Sequence, residues 1–127
     1  MRVTVFELES DEVVHRRTER PQWRPYEEWE GEKLTGVERA AVVERDEAVL
    51  ELVRIAAGGH FVMHAAPAIA HCQVISGKGT LALPGGTELR YDGPELYVFL
   101  PDTLHEWKDI EEDTHLSVCV VPVAAGS

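Results

Sequence analysis

Apolar and polar residues alternate along most of the chain beyond residue 36, and a period of two predicts strands rather than helices. Residues 37–44 (VERAAVVE) and 48–55 (AVLELVRI) flank Arg45-Asp46-Glu47 and read as an antiparallel hairpin closed by a short charged turn. Further short apolar segments fall at 61–64, 72–76, 80–83, 88–91, 96–100 and 116–123. Glycine and proline punctuate them at Gly58-Gly59, Pro67, Gly77, Gly79, Pro84-Gly85-Gly86, Gly93-Pro94 and Pro101. That spacing predicts an all-β sandwich or small barrel with little helix.

Residues 10–35 break the pattern, being polar and charged around three large aromatics, Trp23, Tyr26 and Trp29. Two prolines oppose a helix through Trp23, although residues 26–30 could close a single turn. The segment is expected to be an irregular arm that lays its aromatics over the barrel or over a second subunit. A length of 127 residues suits one domain, 1–127, with an arm and strand over 1–36 and the barrel over 37–123.

Charge narrows the partners. Twenty-three acidic against twelve basic residues leave a formal charge of −11, which repels a phosphate backbone and argues against nucleic acid. The densest basic stretch, His15-Arg16-Arg17 with Arg20, is interleaved with acids and reads as a solvated edge. Cys72 and Cys119 sit in apolar strand segments, not at framework spacing, so two free thiols are expected. No run approaches the roughly 18 apolar residues of a membrane span, and the first residues lack a signal-like apolar region. A soluble cytoplasmic protein without a membrane partner is the expectation.

The glycines, prolines and histidines also fall at meaningful offsets. Gly58 is followed after five residues by His64 and then by Gly77; Gly93 is followed by Pro101-Asp102-Thr103-Leu104-His105; and VISGKGTLAL spans 74–83. Over residues 48–122 this resembles the cupin superfamily, a double-stranded β-helix with two such motifs. The resemblance implies a homodimer through the N-terminal strands and one divalent metal, Fe, Mn, Ni or Zn, at the barrel mouth. Two of the four positions that the resemblance assigns to metal ligands hold Ala66 and Ala70.

An open catalytic metal site needs three protein ligands, and His64 with His105 supplies two. The third is expected from His71, which a bulge near Pro67 would turn inward against simple strand parity, with His60, on the face of His64, and Cys72 as alternates. The other possibility is a site without metal, in which the two imidazoles act as general acid or base. Phe61, Met63 or Val62, Gln73, Tyr97 and Trp107 would then edge a pocket for a small organic ligand. His15 and His115 carry no such expectation. The resulting functional expectation is a small-molecule enzyme, either metal-assisted and dioxygenase-like or metal-free and isomerase- or dehydratase-like. Its rival is a non-catalytic module that binds a metabolite.

Overall fold

The computed structural model describes residues 1–122, with eleven strands and no helix among them. Two strands, β1 (Val3–Glu9) and β2 (Glu12–Thr18), pair as a hairpin whose turn residues Ser10 and Asp11 both have positive φ, 49° and 65°. Where an irregular arm was expected from residue 10 onward, residues 12–18 instead form the second strand of a regular two-stranded sheet. Its alternation was masked because most of its side chains are exposed and charges occupy both faces. Three two-residue strands follow, β3 (Arg24–Pro25), β4 (Glu28–Trp29) and β5 (Glu32–Lys33), so residues 26–30 form no helical turn.

The barrel is built from β6 (Thr35–Glu44), β7 (Val49–His64), β8 (Ala68–Ala82), β9 (Glu88–Asp92), β10 (Glu95–Phe99) and β11 (His105–Pro122). The sheet runs β10-β8-β11-β7-β6-β3, with β9 added to β8, and every pairing is antiparallel. The segments predicted separately at 48–55 and 61–64 are one strand, as are those at 72–76 and 80–83. The intervening glycines bend these strands without ending them. Residue 123, the last position of the predicted strand 116–123, lies outside the described residues.

Inward positions two apart supply the core: Val53 and Ile55 on β7, Cys72 and Val74 on β8, and Leu116 on β11 are all buried. Tyr91 and Trp107 meet edge to face at 5.6 Å beneath the site. The Tyr91 hydroxyl lies 2.6 Å from the buried Thr114 hydroxyl, a satisfied polar pair in the core. The tyrosine ring reaches that position only because residue 79 is glycine; a Cβ there would stand 2.5 Å from the Tyr91 oxygen.

Candidate functional site

Two local backbone devices aim His64 and His105. On β7, His64 pairs with His105 while Phe61 pairs with Trp107, so three residues on one strand span two on the other. That extra residue is a β-bulge. It turns both Phe61 and His64 inward although they are three apart, and leaves Met63 exposed between them. On the other side, Asp102 holds a positive φ of 64° in the turn before β11. Its N–H donates to the Ala66 carbonyl at 2.9 Å, and the Thr103 hydroxyl donates to the Leu100 carbonyl at 2.8 Å. The turn that launches His105 is thereby tied to the chain just beyond His64.

Each histidine bonds a carbonyl two residues before itself. His64 Nδ1 lies 2.7 Å from the Val62 oxygen, and His105 Nδ1 lies 3.0 Å from the Thr103 oxygen. A carbonyl only accepts, so in both neutral rings the proton sits on Nδ1 and Nε2 keeps its lone pair. The ring centroids are 4.3 Å apart. His105 stacks on Phe99 at 3.6 Å with 6° between the planes, and His64 lies 4.2 Å from Phe61 and 5.1 Å from Trp29. Desolvation lowers the His64 pKa, and desolvation with the neighbouring His64 lowers that of His105 to about 4. Both rings are therefore neutral bases at neutral pH.

They line a cavity of about 100 Å³ whose walls include Tyr26, Trp29, Phe61, Phe99 and Trp107. Tyr26 meets Phe61 edge to face at 5.4 Å, so the segment after the hairpin roofs the cavity with Tyr26 and Trp29. Ala66, Ala68 and Ala70 leave room along one wall. The same wall set contains a carboxyl that the sequence reading passed over, Glu51 on β7, whose side chain is 13% exposed. Burial raises its pKa, opposed by Arg39, whose Nη1 is 3.5 Å away. Its signal is present in the sequence: in VLELVRI, Glu51 occupies the phase of Val49, Val53 and Ile55, so an acid stands where the pattern asks for an apolar residue.

The remaining predicted residues are dispersed. His71 and Gln73 are exposed on the outer face of β8, because Cys72 between them points inward. The structure thus separates His71 from the His64–His105 pair. His60 Nε2 bonds the Glu106 carboxylate at the surface and does not line the cavity. Tyr97 packs 6.0 Å from Trp107 and donates to Glu95, contributing to the core instead of the cavity wall. Phe61 and Trp107 do line it, as does Cys72, whose thiol is pushed up to about 12 by burial. Against an ordinary metal centre, this donor set does not fit. Among the described residues, no group of three His, Cys, Asp or Glu side chains is placed to hold an ion, and two positions that the cupin resemblance assigns to ligands are Ala66 and Ala70.

No protein-family model matches the chain, and no curated protein does. Solved structures do. A cupin 2 conserved barrel domain protein from Rhodopseudomonas palustris superposes with a TM-score of 0.68 at 14% identity, over 81% of this chain and 72% of that one. KdgF from Halomonas sp. gives 0.66 at 18% identity, over 82% and 88%. The polyketide cyclase RemF from Streptomyces resistomycificus gives 0.62 at 14%, over 69% and 66%. With these relatives the barrel defines its class: the chain has the cupin fold. Identities this low establish the fold alone.

Proposed function

We propose that the cavity carries out metal-independent proton transfer on a small organic molecule, in the manner of an isomerase or cyclase. The observation that carries this reading is the pair of imidazoles, both tethered at Nδ1, neutral, open at Nε2 and set in an aromatic cavity without a third ligand. His64, less buried than its partner, is the base. Its Nε2 takes a proton from a carbon next to a carbonyl, leaving the electron pair in the enolate. The imidazolium then returns that proton to a second atom of the same molecule, so nothing else is consumed. His105 stays neutral beside it and accepts a hydrogen bond, held in place by Phe99. The relative named as a polyketide cyclase supports the reading to the extent that this fold hosts ring chemistry in another protein.

The same enclosed aromatic walls favour a second reading, a module that binds such a molecule without turning it over. Deuterium exchange separates the two. With 2-tetralone in heavy water, wild-type protein is expected to accelerate exchange at the α-carbon, chelator is expected to have no effect, and His64→Ala and His64→Gln are each expected to lose about 10²-fold or more. Calorimetric binding of 2-tetralone without exchange would leave only the binding module. Exchange abolished by chelator would replace the proposal with metal-assisted chemistry, and no binding at all would remove both readings.

A further inference from the structure

The charges that line the cavity carry the reading further. Its ionisable side chains are Tyr26, Glu51, Cys72, His64 and His105, and no lysine or arginine stands among the described residues of its walls. Of these, only the Glu51 carboxyl carries charge when the imidazoles, thiol and phenol are neutral. Arg39, which does not line the cavity, engages two of its wall residues: its guanidinium sits over the Tyr26 ring at 5.1 Å and its Nη1 lies 3.5 Å from the Glu51 carboxylate. Both imidazole Nε2 atoms are acceptors, and an ionised Glu51 accepts only.

An incoming carboxylate or phosphate would leave water for an aromatic enclosure that offers no fixed positive charge, which is costly for any unpaired ion. The formal charge of −11 opposes its approach from outside. A ring with a hydroxyl meets the opposite conditions. Its faces pack on Trp29, Phe61 and Trp107, and its O–H donates to an Nε2 lone pair.

We infer that the ligand of this cavity is an uncharged ring compound bearing a hydroxyl or enol donor, and that Glu51 turns organic anions away. The inference rests on the proton-transfer reading for the site it describes, but its test needs no turnover. Calorimetry at roughly pH 8, above the imidazole titrations, and about 0.15 M salt would compare three probes of one size: 2-naphthol, its methyl ether and 2-naphthoate. The expected order places 2-naphthol about tenfold or more ahead of 2-naphthoate, with the methyl ether weaker than the naphthol for want of a donor. In Glu51→Gln, which keeps size and polarity, the naphthoate is expected to gain on the naphthol.

Equal or tighter binding of naphthoate by the wild type would overturn the inference, as would a methyl ether that binds as well as the naphthol. Unchanged selectivity in Glu51→Gln would overturn the role of Glu51. If the probes rank as expected while 2-tetralone shows no exchange, the ligand class stands and the catalytic reading falls; exchange together with a preference for anions gives the converse.

Discussion

His105 is a buried base whose charged form is penalised by desolvation and by the neighbouring His64, and this links folding to pH. Its folded pKa of about 4 lies below the ordinary value of 6.5. Between those values the unfolded chain binds the proton and the folded chain does not, so stability falls as pH drops from 6.5 to 4. The full span is worth on the order of 3 kcal/mol. Glu51 acts with the opposite sign, because its raised pKa relieves a buried charge as the solution becomes acidic. Urea titrations across this range are therefore best read as a difference: His105→Gln should lose most of the acid-side slope relative to wild type. An identical slope in the two proteins would show that the ring is already charged, or already exposed, in the native state.

At this scale His64 and His105 were legible from their offsets to glycine and proline, whereas Phe61 and Trp107 were named only as aromatics that would edge a pocket. Glu51 was not singled out, since a lone acid in an apolar strand is easily read as a surface residue. His71 and Gln73 were misplaced by sequence for one reason: the bulge that resets parity lies on β7 between Phe61 and His64, and β8 keeps strict alternation through Cys72.

Among the elements, the strands were legible and their joins were not. Glycine was read as a terminator at 58–59 and 77, whereas β7 and β8 pass through those positions without a break. At Gly59 and Gly77 the neighbouring strand makes glycine necessary, whereas Gly58 is held only by its φ of +80°. Gly77 has a φ of +122°, and an added Cβ would meet the Thr114 backbone at 2.6 Å. At Gly79 the obstacle is the Tyr91 phenol, so Gly79→Ala should push the ring off Thr114 and cost about 2–3 kcal/mol in urea unfolding. Gly85→Ala provides the comparison, since its φ of +86° is strained but nothing lies within 4 Å. Its expected cost is about 1 kcal/mol. Equal losses in the two variants would mean that backbone strain, and not the packing of Tyr91, sets the requirement.

For the molecule as a whole, the N-terminal hairpin poses a question of solvent. An isolated two-stranded sheet is marginal in water, and one face of this one carries Phe6, Leu8 and Val13, each at least 69% exposed. In register, that face reads Thr4, Phe6 and Leu8 opposite Arg17, His15 and Val13. It holds no acid on a chain of net charge −11, so two copies that meet through it set no carboxylate against carboxylate. Sedimentation should therefore report a dimer that Phe6→Lys together with Leu8→Lys converts to monomer, while the far-ultraviolet spectrum of the barrel persists. A wild-type monomer at every concentration would refute pairing through these strands.

The tethers at Val62 and Thr103 have a consequence for how such a site is inherited. Many catalytic histidines are steered by a carboxylate elsewhere in the chain, and that partner travels with them as a recognisable second letter. Here the steering atoms are main-chain oxygens, which every amino acid possesses. Residues 62 and 103 can drift without releasing the rings, provided the bulge and the turn survive. The steering of the rings is written in the shape of the backbone, and the only letters the tethers themselves oblige the sequence to keep are the two histidines.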